Sequence, residues 1–118
     1  MKTLEDLQKL VVQFRDDRDW AQYHRPKDMA ISLSLEAAEL LEHFQWKEGA
    51  DVDSHIRDAK QDIGDELSDV MYWVLLMAHD FGISIEDAFI KKLHKNAEKY
   101  PVDKSKGRSE KYSKLRNE

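Results

Sequence analysis

Glu36 and Glu39 lie three residues apart in EAAELLEHFQW (residues 36–46), and Glu66 and Asp69 lie three apart in IGDELSDVMYW (63–73). Residues at i and i+3 sit one above the other on a helix. Each acidic pair therefore occupies one helical face, on the apolar side of its segment. Four carboxylates gathered in one place repel, and burying even one unpaired charge is costly. Either they stand apart in solvent or cations hold them together. An all-oxygen set without His or Cys favours a hard cation, Mg²⁺ or Mn²⁺. Magnesium held by carboxylates usually meets substrate phosphates. A di-iron bundle would need Glu-x-x-His on two helices. That motif is missing, since His43 comes four residues after Glu39.

Helices must carry these acids, and four helical segments are expected. The first covers 4–18, with Leu4, Leu7, Val11 and Phe14 spaced at three and four. The turn DWAQYHRPKD follows, where Pro26 marks a break. The second covers 27–47, with Gly49 as its stop, and the third covers 54–80, ended by Gly82. Ser84 opens the fourth in a near capping box with Asp87, and Pro101 stops it after residue 99. No segment alternates strictly enough for a strand. Short connections between long helices favour a bundle. The expectation is an all-α four-helix bundle, one domain over residues 1–100, with a basic tail at 101–118, extended or partly disordered. VMYWVLLMA (70–78) is apolar nearly all round, which calls for burial on every side. A small bundle hardly provides that, so assembly into an oligomer is expected, with this stretch in a subunit interface.

Composition limits the remaining choices. With 118 residues the chain has room for one compact core. Its 36% charged residues and only four Gly and two Pro suit a helical protein rather than a β-sandwich. The absence of cysteine excludes disulfides, thiolate metal sites and a cysteine nucleophile. MKTLEDLQKLVVQF is charged throughout and unlike a signal peptide, and the longest apolar run falls far short of the roughly 20 residues that span a bilayer. A cytoplasmic protein without membrane partners is expected. The net charge of −5 argues weakly against nucleic acid as a partner. That charge is uneven: residues 1–90 carry 9 Lys/Arg against 20 Asp/Glu, and residues 91–118 carry 10 against 4. The basic end is either a solvated tail or a surface that faces an anion held near the acids.

Lys91, Lys92, Lys95 and Lys99 recur at three and four, with Asn96 among them. Lysines in such a stripe either meet a polyphosphate or form a solvated face. Three tryptophans, Trp20, Trp46 and Trp73, serve either a core or a nucleobase stack, and His24 lies close in sequence to the first of them.

Together these residues resemble a known family. EAAE, then 26 residues (40–65), then ELSD matches the E-x-x-E…E-x-x-D signature of the MazG-like, all-α nucleoside triphosphate pyrophosphohydrolases. RDWAQYHRPKD (18–28), EHFQW (42–46), KNAEKYP (95–101) and SKGRSEKYSKL (105–115) resemble the dCTP pyrophosphatase branch. The resemblance implies that Glu36, Glu39, Glu66 and Asp69 ligate Mg²⁺, which organises a triphosphate and activates a water for attack on the α-phosphorus. Glu36 or Glu39 would take the proton. Trp20, His24, Trp46 and Trp73 match positions around base and sugar, and Lys92 and Asn96 match nucleotide contacts. The family forms dimers or dimer pairs with pockets completed by neighbouring subunits, so a homodimer or homotetramer is implied. Val11 stands where some members of the branch carry histidine, and Trp73 where some carry tyrosine. The implied reaction is hydrolysis of a deoxynucleoside triphosphate, dCTP or a 5-modified form first, to monophosphate and pyrophosphate, in nucleotide-pool house-cleaning. The same fold acting on dUTP or phosphoribosyl-ATP, or a non-catalytic cation-binding oligomer, are the alternatives.

Overall fold

The structure, a computed structural model, describes residues 1–109. They are helical throughout, with no strand among them. The chain divides into two compact units, Met1–Gly82 and the segment from Ile83 onward.

The first unit is built around α4 (Lys60–Asp80). It packs most extensively on α2 (Pro26–Glu42), then on α1 (Leu4–Asp17) and α3 (Ala50–Asp58). Met29 of α2 and Leu75, Leu76 and Ala78 of α4 are buried, and they form the apolar core. VMYWVLLMA is thus covered along part of its circumference only, and Met71 stays 37% exposed. Larger apolar side chains remain open on the same helices: Ile31, Leu35 and Leu41 on α2, and Leu67 on α4.

Local chemistry sets the helix ends. Thr3 caps α1 in a full capping box: its hydroxyl accepts from Asp6 N (3.1 Å), and the Asp6 carboxylate accepts from Thr3 N (2.9 Å). At the other end Asp19 adopts φ +55°, in the left-handed region. Asp19 N donates to Asp16 O (3.1 Å) and Trp20 N to Arg15 O (3.2 Å), which closes a Schellman motif. The motif's apolar contact is also present, with the Trp20 ring edge-on to Phe14 at 5.9 Å. Pro26 opens α2 in its first turn, where a missing N–H does no harm.

Two expected boundaries differ. The second helix stops at Glu42 rather than 47, because 43–46 tighten into turns, with Phe44 N donating to Leu41 O (2.9 Å) and Lys47 N to Phe44 O (3.0 Å). The expected helix over 54–80 is two helices. Gly49, at φ +57° and ψ −129°, lets α3 begin at Ala50, and a bend at Ala59 separates α3 from α4. Ala59 is no helix breaker. The bend accompanies a contact between α3 and the end of α2, where His43 Nδ1 and His55 Nε2 approach to 2.8 Å.

In the second unit Ser84 caps α5 (Ile85–Lys99), its hydroxyl accepting from Asp87 N at 3.4 Å. Tyr100 N closes the last turn on Asn96 O, and Pro101 follows. Val102–Ser105 form one further turn, α6, inside the segment expected as a tail. Positions 110–118 of that expected tail lie outside the described residues.

The left-handed residue at the end of α1 yields a stability test. Asp19→Val places a β-branched side chain where only Gly, Asn and Asp are at ease. Thermal or urea unfolding should show a loss of about 1–2 kcal/mol. An unchanged midpoint would mean that the reversal after α1 does not depend on this conformation.

Candidate active site

The two acidic helices meet. Glu36 and Glu39 from α2 and Glu66 from α4 each offer a carboxylate oxygen, and these atoms all lie within 4.8 Å of one another. Glu36 and Glu66 are half-buried, while Glu39 is exposed. Oε2 of Glu36 and Oε2 of Glu66 are shut off from solvent and have no hydrogen-bond partner. The electrostatic result follows from crowding. Burial, then the approach of Glu39, then the charges of Asp69 and Glu66 push the Glu36 carboxyl up to about 7. Burial and Glu39 also raise Glu66, against a smaller opposing pull from His43.

Asp69 belongs to the same electrostatic group, since its charge acts on both Glu36 and Glu66. Its carboxylate is exposed and lies outside the tight set of three. It faces, with Glu36, a cavity of about 590 Å³. That volume suits a small-molecule ligand. The wall of the cavity is aromatic: Phe14, Trp20, Tyr72 and Trp73, with His24 beside them. Leu10 and Val11 of α1 complete the lining. Tyr72 and Trp73 stand edge to face at 5.1 Å, and the His24 ring meets Trp73 at the same distance. The acid cluster and the aromatic cavity are thus contiguous, because Glu36 belongs to both and Asp69 stands beside it.

The acid cluster passes a test of fit for a divalent cation. Orphaned buried carboxylate oxygens are rare in folded proteins, and each calls for a partner. A hard cation with oxygen ligands supplies one and removes the repulsion. Glu36, Glu39 and Glu66 are the residues that would hold it, with Asp69 adjacent.

Of the residues singled out in the sequence, Trp20, His24 and Trp73 line the cavity. Trp46 does not: it sits in the turn after α2, 86% exposed. Lys92 and Asn96 lie on α5 in the second unit, Lys92 exposed and Asn96 half-buried. Val11, singled out as a departure from the branch, does lie in the cavity wall. Phe14, Leu10 and Tyr72 were missed as site residues. Phe14 reads as part of the core stripe of Leu4, Leu7 and Val11, Tyr72 as part of the apolar run 70–78, and Leu10 carries no signal of its own. Arg15 was also missed. It is 4% exposed and held by Asp80 through two hydrogen bonds, 2.7 and 2.9 Å.

Known proteins resemble this chain in sequence and in fold. Rat dCTP pyrophosphatase 1 is 36% identical over 115 residues, which cover 96% of this chain and 68% of that protein. The human protein of the same name is 31% identical over the same shares. Among solved structures, a pyrophosphatase from Archaeoglobus fulgidus superposes with a TM-score of 0.79 at 36% identity, covering 86% of this chain and 94% of that one. The MazG-like family profile matches residues 31–115, which span both acidic pairs and all of α4 and α5, and on that match the chain belongs to the MazG-like family.

Proposed function

We propose that this chain hydrolyses a deoxynucleoside triphosphate, dCTP or a 5-modified dCTP first, to the monophosphate and pyrophosphate, with Mg²⁺ as its cation. That it is a nucleotide pyrophosphohydrolase rests on its family and relatives. The base and the metal are the proposal. One observation carries it: three carboxylates from α2 and α4 converge at the edge of an aromatic cavity, and Glu36 lies in both.

Bound Mg²⁺ would neutralise charge on the triphosphate and acidify a water. The side chains do the rest. Trp20 and Trp73 offer faces and edges on which a base stacks. His24 adds a ring that can both donate and accept hydrogen bonds, beside the donor-only indoles of Trp20 and Trp73. Glu36 and Asp69 mark where the cavity gives way to carboxylates, so a base in the cavity points its phosphates at the acids. Glu36, Glu39 and Glu66 would hold the cation, and Asp69, adjacent to them, would join as the fourth ligand. Glu36 or Glu39 would also take the proton from the attacking water, which is general-base work.

Assembly is part of the proposal. Ile31 and Leu35 on α2, and Leu67 and Met71 on α4, are exposed at helical spacing. Such faces suit a homodimer or a dimer of dimers. Exposed Trp46 suits a pocket completed by a neighbouring copy. Light scattering should give a mass at least twice that of the 13.9 kDa chain, and Leu67→Glu should halve it; a monomer at micromolar concentration would refute assembly.

A nucleotide panel with Mg²⁺, resolving mono- and diphosphate products, tests the reaction. The expected outcome is dCMP and pyrophosphate from dCTP. Glu39→Gln should lower kcat/KM at least as far as the roughly 100-fold that loss of a ligand's supporting partner reaches. Cleavage of dUTP or phosphoribosyl-ATP instead would replace the substrate. No cleavage of any nucleotide by metal-bound protein would leave a structural cation site. Lys92→Ala and Asn96→Ala in the same assay test the nucleotide contacts that the resemblance implies.

The raised Glu36 carboxyl yields a pH dependence. Its folded pKa lies above its unfolded value, so the cation-free fold is favoured at low pH and loses stability as pH rises through about 7. A cation competes with that proton. Melting-temperature gain from saturating Mg²⁺ should therefore be larger at pH 8 than at pH 5.5. An equal gain at both values would place the bound cation away from Glu36.

A further inference from the structure

We propose that Arg15 is a positioning residue for base recognition: it fixes His24 as the Nε2–H tautomer, so that the cavity offers a neutral N–H donor and selects a base edge carrying an acceptor. The chemical class that fits is a base with a ring carbonyl oxygen or unprotonated ring nitrogen facing His24. The inference rests on reading the aromatic cavity as the base site.

Arg15 leaves α1 with a side chain only 5% exposed, and Asp80 of α4 grips it in a bidentate pair. Its Nη1 also stands 3.5 Å from His24 Nδ1. A guanidinium has N–H donors and no acceptor. The ring nitrogen facing it must therefore present its lone pair, since an N–H there would meet another N–H. A neutral imidazole with a lone pair on Nδ1 carries its proton on Nε2. Burial and the Arg15 charge also lower the His24 pKa, against a weaker upward pull from Asp80. Asp80 does not take the His24 proton itself, because its oxygens are engaged by Arg15 and by His79 Nδ1 at 3.0 Å. Among the described residues no hydrogen bond is made by His24 Nε2. The ring lines the cavity, whereas Arg15 does not. Of the two nitrogens of the His24 ring, the one turned away from Arg15 is thus the one free to meet a ligand.

Such a pair acts by geometry alone. Neither Arg15 nor Asp80 needs to touch the base. Their contribution is the direction of a single hydrogen bond, and sites built to make such a bond reject analogues that cannot complete it.

Long-range ¹H–¹⁵N spectra of the cation-free protein at pH 7.5 test the tautomer without any substrate. The expected spectrum shows protonated Nε2 and unprotonated Nδ1 on His24. Arg15→Leu/Asp80→Leu removes the pair together and leaves neither charge behind unpaired, which is milder than removing one partner. It should give mixed tautomers. It should also reduce by about tenfold the preference for dCTP over a difluorotoluene deoxynucleoside triphosphate, an apolar pyrimidine isostere, as loss of one hydrogen bond implies. His24→Gln, which keeps a terminal N–H donor, should retain more of that preference than His24→Met. A wild-type spectrum with Nδ1–H or with imidazolium would overturn the proposal even if the double variant fails to fold. So would a double variant that keeps both tautomer and preference. The Nε2–H spectrum in a protein that cleaves no nucleotide would overturn the base-site reading and the selection with it, while nucleotide cleavage with the wrong tautomer would overturn the role of Arg15 alone.

Discussion

Repulsion among carboxylates is the constraint that organises this fold. Three acidic side chains from two helices come within 4.8 Å, and two of their oxygens have neither solvent nor a partner. No packing gain local to these side chains offsets that, since they are acids in the helix seam rather than core residues. The seam between α2 and α4 is also the most extensive helix contact of the first unit. The helices are thus pressed together by Met29, Leu75 and Leu76 on one side of the problem, and driven apart by Glu36, Glu39 and Glu66 on the other. A fold that keeps such a group charged at neutral pH is poised for a cation. One that protonates Glu36 is stable without it.

Around that seam, α1 serves a different purpose. It supplies Leu10, Val11 and Phe14 to the cavity and ends in a Schellman motif that returns Trp20 onto Phe14. The same helix sends Arg15 inward to Asp80 and so reaches His24 from behind. The cavity wall is therefore tied to α4 by apolar contact and by a part-buried ion pair. On the proposed reading, the apolar surface receives the base and the carboxylates face its phosphates.

Much of this was legible in the chain itself. Three-residue spacing places Glu36 beside Glu39 on any helix, and the matching pair on α4 made convergence the natural expectation. Ser84 as a cap, Pro26 as a start and Gly82 as a stop are local chemistry, readable without tertiary structure. Other features depend on contacts far apart in sequence. Asp69 lies toward the cavity rather than inside the tight set, although three-residue spacing puts it on the same face as Glu66. Ala59 bends the chain with neither Gly nor Pro, next to a histidine contact spanning 12 residues. The early end of α2 leaves Trp46 on an exposed turn, a consequence of the four residues 43–46 tightening. Arg15 follows Val11 by four, so its place on the apolar face was visible, but its partner lies 65 residues away.

The central claim is that one cation site and one aromatic base cavity share the Glu36 carboxylate. A crystal structure with Mn²⁺ and α,β-imido-dCTP, phased to show anomalous scattering, tests it most directly. The account predicts a manganese peak among Glu36, Glu39 and Glu66, with the cytosine ring between Trp20 and Trp73. Manganese bound elsewhere, or a base lying outside that cavity while the metal sits on the acids, would contradict it.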